Sequence, residues 1–307
     1  MKTTETNNTL AKHGLDWKVT KEPMFLQDGT PTNHFAVVRE DTREVFASVG
    51  KNYMPFQKSD MLALVKSVAE FTDAEVHKAG YFSNGKKVFI QLASPVRLDG
   101  IGNNNDTVQF YSTCLNSHDG TTPVSWGSSS ITISCMNTFN ASLKSLKKQG
   151  LSVRHSEGTI NPLLEQIMHY KQAFEDSVDS SYRIADKMHL MSKAEVTSKQ
   201  VTAFIDSVFN VDFSSTNLDS INRKKFNRAV ELRDAVMSEM AQKGHTAWGM
   251  FNGVTKFTTH LSNKNQDVRD SSKMVGPNII LDNNAFNLAY KIATSVKSPV
   301  KHYSSVM

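Results

Sequence analysis

Between Cys114 and Asn140 the chain gathers the side chains best suited to chemistry: Cys114, Asn116, His118 and Asp119 before Gly120, then Cys135, Asn137 and Asn140. Imidazole, thiolate and carboxylate are the usual ligands of transition metals and the usual carriers of protons, so His118-Asp119 reads first as a metal or acid/base pair. Strand geometry argues against it. Neighbours along an extended strand point to opposite faces, which puts Cys114, Asn116 and His118 on one face and Asp119 on the other, and Asp-Gly is a favoured turn pair. Cys114 and His118 alone are too few ligands for a metal. The reading is therefore a polar cluster of Asn116, His118, Asp119 and Asn137 around a turn, with no catalytic residue and no metal or other cofactor assigned.

Basic and aromatic residues flank this cluster. Lys144, Lys147 and Lys148 have the three-to-four spacing of one helix face, with Arg154 and His155 just beyond. Trp126, Tyr111 and Phe110 lie on strands to either side of the turn, and Lys86 and Lys87 come shortly before. Rings beside lysines are what single-strand binding uses, because stacking contributes about 1–3 kcal/mol per base and lysines neutralise phosphates. The expected nucleic-acid contacts are Lys144, Lys147, Lys148, Arg154, Trp126, Tyr111, Lys86 and Lys87. Trp126, set among Ser125, Gly127 and Ser128, is expected to be the most accessible ring. A solvated face and a packed core would use the same residues. Arg223, Lys224, Lys225 and Arg228 form a second basic cluster at a helix start, where positive charge opposes the macrodipole.

Two periods organise the elements that position these groups. From Trp17 to Cys135 strands dominate. A hairpin is predicted at Phe35–Glu40 and Glu44–Val49, with Phe35, Val37, Val45, Ala47 and Val49 facing inward. A helix capped by Ser59 and carrying Leu62, Val65 and Ala69 should pack on a sheet. Strands follow at Val76–Phe82, Lys86–Ser94 and Thr107–Asn116, the first two joined through Asn84-Gly85, which tolerates positive φ. Trp126 and Ile131 have opposite parity, so a turn or bulge is expected at Gly127–Ser130. Beyond Asn137 the period becomes helical, first through Phe139, Leu143 and Leu146, then from Asn161-Pro162 along Leu163, Ile167, Phe174, Val178, Tyr182 and Ala185. Further helices fit Ala194–Phe209, Ile221–Gln242, Ala247–Leu261 and Asn283–Val296, with Asn263–Asn278 as a polar loop.

The fold class is α+β: an antiparallel sheet with packed helices in the N-terminal half and a helical C-terminal half. The division is an arm over 1–16, a core over 17–155 and a helical region over 156–307. The 307 residues are 39% hydrophobic and 21% charged, the composition of a folded domain with a sizeable core. A formal charge of +5 tilts the choice of partner toward an anion such as nucleic acid. The polar opening Met1–Asn8 and the lack of a membrane-length apolar run point to a cytoplasmic protein with no membrane partner. No phosphate loop, nucleophile elbow, His-Glu-x-x-His or Cys-x2-Cys pattern occurs, which disfavours ATP-driven and common hydrolytic chemistry.

Several short patterns then coincide in order: Gly14-Leu15-Asp16-Trp17, Val49–Gln57, Asn116–Gly120, Cys135–Ala141 and His245–Phe257. Together they resemble the phage/plasmid-like family built on domain of unknown function 932, over Gly14 to His260. The resemblance implies a phage, prophage or plasmid setting and brings no established catalytic residues. The order hairpin, helix, antiparallel strands, helix is similar to the core of ring-forming single-strand annealing proteins of the Rad-fifty-two class. Asn252-Gly253 stands where many members have Asn-Ala, and glycine there would weaken a helix by about 1 kcal/mol. The function expected is ATP-independent binding and annealing of single-stranded nucleic acid, DNA in the first place, by a homo-oligomer. The alternatives are a metal-dependent nucleic-acid hydrolase at Cys114, His118 and Asp119, or a protein-binding host-takeover or anti-defence factor.

Overall fold

A computed structural model of the protein describes residues 11–72, 74–103, 105–132, 137–140, 152–153, 155–156, 167–209 and 223–295. The N-terminal half forms antiparallel sheets and the C-terminal half helices, an α+β fold. The first sheet has the order β1 (Val19–Phe25), β2 (Pro31–Arg39), β3 (Val45–Gly50). Its β2–β3 hairpin was legible, but the inward face differs. A register shift places Val37 opposite Ala47 and Val38 opposite Val45, so Phe46 is the extra, bulged residue. Phe46 turns inward at 5% exposure and Val45 outward at 56%. Helix α1 (Lys58–Thr72) follows, burying Leu62 and Val65 completely. The Gln57 amide donates to the Asp60 carboxylate at 3.3 Å, so Asp60 rather than Ser59 serves the helix start.

The second sheet runs β4 (Val76–Phe82), β5 (Lys87–Ile101), β6 (Asp106–Ser117), β7 (Val124–Thr132), β8 (Asn137–Asn140) in that spatial order, and β9 (Ser152–Val153) also pairs with β7. Ser83, Asn84 and Gly85 connect β4 to β5 with φ of 54°, 56° and 96°, the backbone that the Asn-Gly pair anticipates.

Two expectations fail along β7 and β8. No turn or bulge breaks β7, which pairs with β6 from Val108 opposite Thr132 to Leu115 opposite Ser125 without a register shift. Both parities are apolar because the strand serves two faces: Trp126 enters the core beneath α1, and Ile131 lines a cleft on the far side. The segment at Asn137 is a strand rather than a helix start, with Asn137 opposite Thr132 and Asn140 opposite Ser129. The open edge of β7 supplies hydrogen bonds that outweigh a local helical period. The helix predicted through Leu143 and Leu146 and the Asn161-Pro162 start lie outside the described residues.

The helices are α2 (Ile167–Lys193), α3 (Ser198–Phe209), α4 (Arg223–Lys243), α5 (Ala247–Lys256), α6 (Gln266–Val275) and α7 (Pro277–Ser295), with a π-helical turn at Phe257–Leu261 extending α5. Helix α2 crosses the second sheet, where Ser177 bonds Ser112 at 2.7 Å and Ser181 bonds Ser128 at 2.6 Å. Its buried stripe runs through Phe174, Ile184, Ala185 and Met188, while Tyr182, expected on that stripe, is 53% exposed. Helix α5 continues through Gly253, which is needed for packing: a Cβ there would lie 2.2 Å from Val236 Cα on α4. The segment expected as a polar loop is α6, started by the Asn265 side chain, which accepts from the Asp267 and Val268 amides.

Two apolar clusters result. One joins Trp17, Phe46, Leu62, Val65, Ile90, Cys114 and Trp126 under α1. The other joins Val96, Val108 and Phe110 of the sheet to Met188, Leu232, Trp248, Phe251 and Phe286 of the helices. Among the described residues, no helix is long and apolar enough to cross a membrane.

Candidate functional site

The end of β6 holds Asn116, His118 and Asp119 of the predicted polar cluster and divides them as strand parity implies, whereas Asn137, opposite Thr132, lies at the other end of β7. Asn116 is fully buried and donates from Nδ2 to the Phe56 carbonyl at 2.9 Å, leaving Oδ1 without a partner among the described residues. His118 is also fully buried, held by its backbone amide on the Lys86 carbonyl at 2.7 Å. Its ring meets Trp17 edge-on, with centroids 5.6 Å apart, and stacks on Phe46 at 6.3 Å. Neither ring nitrogen has a hydrogen-bond partner among the described residues. Beside it the Lys58 ammonium sits 3.1 Å above the Trp17 ring, also without a hydrogen-bond partner among the described residues. The opposite charges within reach are too weak to offset burial, which lowers Lys58 to about 7. Burial, with Lys58 and His155 adding repulsion, lowers His118 to about 3. His118 is thus neutral at ordinary pH.

Asp119 belongs to a different environment. Its Oδ2 accepts from Lys87 Nζ at 3.0 Å and its Oδ1 from the Thr121 amide at 3.0 Å and hydroxyl at 2.5 Å. Burial raises its pKa, but these bonds outweigh burial and hold the carboxyl below its ordinary value. His155, 9% exposed, stacks on Tyr53 at 5.2 Å and meets the Thr122 carbonyl at 3.3 Å. Cys114 is a buried free thiol opposite Trp126, and burial pushes its pKa up. Among the described residues, no three or more His, Cys, Asp or Glu side chains form a group able to hold a metal.

The expected nucleic-acid contacts fare differently. Trp126 is 1% exposed and Tyr111 5%, so neither offers a free face for a base. The reason is position: β7 lies between β6 and the β8/β9 edge with Trp126 facing the core under α1, and Tyr111 on the other face of β6 is covered by the His77 ring at 4.4 Å. Lys87 is buried in its pair with Asp119, and Lys86 is half-buried. Lys144, Lys147, Lys148 and Arg154 lie outside the described residues. Arg223, Lys224 and Lys225 are exposed, while Arg228 covers the Phe209 and Phe257 rings at 5.8 and 5.6 Å. Asn137 donates from Nδ2 to the Asn252 carbonyl at 3.4 Å, joining two segments far apart in sequence.

A second candidate was missed by sequence reasoning. On the opposite face of the sheet, β4, β5 and β7 meet α6 around a cavity of about 100 Å³ lined by Lys78, Phe89, Gln91, Ser129, Asp270 and Lys273, among others. Exposed His77 and Lys78 stand at this edge of the sheet, His77 with its ring 4.4 Å from that of Tyr111 and Lys78 5.9 Å from that of Phe89. Tyr81, 44% exposed, projects from the other side of β4. Period-two alternation on β5 holds the signal: Phe89 and Gln91 share a face with Lys87, and the apolar run on the other face masks them.

A model of the domain of unknown function 932 matches residues 45–276, well over half of the chain. The chain belongs to the DUF932 family. Both candidate sites fall inside the DUF932 domain: Lys58, Asn116, His118 and Asp119 of the buried cluster, and Lys78 through Lys273 of the cleft. No curated protein and no solved structure matches the chain.

Proposed function

We propose that this DUF932 protein binds and anneals single-stranded nucleic acid, DNA in the first place, without ATP, as an oligomer in the host cytoplasm of a phage or other mobile element. The observation that carries the proposal is the β4 side of the second sheet. Exposed His77 and Lys78 lie on its outermost strand beside Phe89 of the next, so a cation and rings stand within a few residues, and exposed Tyr81 projects from the other face of the same strand. That is the chemistry a strand of any sequence engages, phosphates on ammonium groups and bases on rings. The formal charge of +5 supports the same partner. The resemblance to Rad-fifty-two-type annealing proteins agrees with it as an analogy of architecture.

This reading moves the contacts from Trp126 and Tyr111, which are buried, to β4 and its neighbour. Hydrolysis at Cys114, His118 and Asp119 is the weaker alternative, since His118 and Asp119 look into separate environments. The test is a labelled single-stranded oligonucleotide titrated with purified protein at rising salt. Affinity should fall steeply on going from 50 to 200 mM salt, as counterion release loses its entropic advantage. His77→Ala with Lys78→Ala should weaken binding at every salt concentration. Absence of a salt-sensitive shift, or unchanged affinity in the double variant, overturns the proposal.

A further inference from the structure

We propose that the cleft between the second sheet and α6 receives one unstacked base of the bound strand. This rests on the single-strand reading above and names the element that would tell a base from bare backbone. The cavity of about 100 Å³ is well below the several hundred Å³ of a pocket for a whole cofactor, so its occupant is a single small ring. Its apolar lining is right for a flat ring: Phe82 and Phe89, stacked with centroids 6.3 Å apart, Ile131 of β7 and Met274 of α6.

The polar lining is right for a base edge. Gln91 is 6% exposed, and its Nε2 donates to Thr113 Oγ1 at 3.1 Å and Ser129 Oγ at 3.2 Å, while those hydroxyls bond each other at 2.9 Å. That network fixes the amide from below and leaves Oε1 with no donor among the described residues. A fixed, partly unsatisfied amide in an apolar cleft is how proteins read a ring with hydrogen-bonding edges. Asp270, one helical turn from Lys273 and Met274, adds a second acceptor from α6. Lys273 is already committed to Asp282 at 2.6 Å and Thr258 at 3.0 Å. Lys78 is exposed on the cleft lining, placed to meet the phosphate attached to a base seated inside.

Three probes separate this from general strand binding: a short oligothymidylate, an abasic strand of equal length, and free thymidine. Oligothymidylate should bind about tenfold more tightly than the abasic strand, the ratio expected of one stacked base. Ile131→Trp, which fills the cleft from the sheet side, and Met274→Trp, which fills it from the helix side, should each bring that ratio to within twofold and leave abasic-strand binding unchanged. Circular dichroism establishes which variants are folded, and either one suffices. Equal affinity of the native protein for the two strands, or a ratio that survives in a folded variant, overturns the cleft proposal. If neither strand binds, the single-strand reading falls. The cleft then stands only if free thymidine shows saturable binding that Met274→Trp abolishes, and falls if it does not.

Discussion

Lys58 and Lys273 both bring an ammonium group below the surface, in neighbourhoods that differ in one respect. Lys273, on the helical side, meets Asp282 at 2.6 Å, and Lys243 likewise meets Asp106 at 2.7 Å. Lys58, on the sheet side, has the Trp17 ring at 3.1 Å and no hydrogen-bonded carboxylate. Next to it His118 is buried with both ring nitrogens unpartnered among the described residues. Burial lowers Lys273 as it lowers Lys58, but Lys273 and Lys243 keep a carboxylate partner, as Lys87 does in Asp119 at the sheet edge, whereas Lys58 and His118 under α1 have burial without one. Removing a charge should hurt the paired sites and relieve the unpaired ones.

The largest expected effect is on the helical side. Asp282→Ala leaves Lys273 as an uncompensated buried cation and should destabilise the protein by about 3–5 kcal/mol in urea unfolding. A loss below about 1 kcal/mol would mean that the lysine swings out to water and the contrast dissolves. Lys58→Met should act in the opposite direction, stabilising by about 2–3 kcal/mol near pH 7, because it removes desolvation without orphaning an acid. The sign with pH follows from the lowered value. Folded Lys58 binds its proton only below about 7 and the unfolded chain already below 10.5, so stability should climb between those limits and stay flat in the variant.

Close packing offers a third test. Gly253→Ala gains about 1 kcal/mol of helix propensity but drives a Cβ to 2.2 Å from the Val236 backbone. The net expectation is a loss of about 2 kcal/mol in thermal unfolding. Retained stability would mean that α4 and α5 separate at little cost. The smallest effect belongs to His118. Its folded value of about 3 against 6.5 unfolded means that stability present above pH 6.5 is lost progressively toward pH 3. His118→Leu should flatten that acid limb, gaining about 1 kcal/mol at pH 5.5 with little change at pH 8. An unaltered acid limb would place acid sensitivity in the carboxylates instead.

Much of this architecture was legible because periods and turn residues report local geometry. The change from strands to helices, the Asn84-Gly85 connection and the parity that parts His118 from Asp119 all follow from local rules. What escaped depends on distant partners. The α6 segment reads as a loop because Asp267, Arg269 and Lys273 look solvated, yet Asp267 accepts from the Ser83 amide at 2.9 Å and Lys273 from this helix is buried against Asp282. Phe46 in place of Val45 depends on a bulge that alternation alone does not mark. Trp126 looked accessible because its sequence neighbours are small and polar. Ser128 instead bonds Ser181 of α2, so small side chains there admit a helix rather than solvent.

The contact between Asn137 and Asn252 spans 115 positions, and those of Asp106 with Lys243 and Ser83 with Asp267 span 137 and 184. Contacts of such separation form late, since each must first overcome the closure entropy of the intervening chain. During synthesis the sheet would emerge with Val96, Val108 and Phe110 still lacking the helices that cover them. The seam between sheet and helices is thus a kinetic feature as well as a structural one: until α2 and then α4 have left the ribosome, the nascent sheet carries an apolar face that α2 must cover and an aspartate, Asp106, that waits for Lys243.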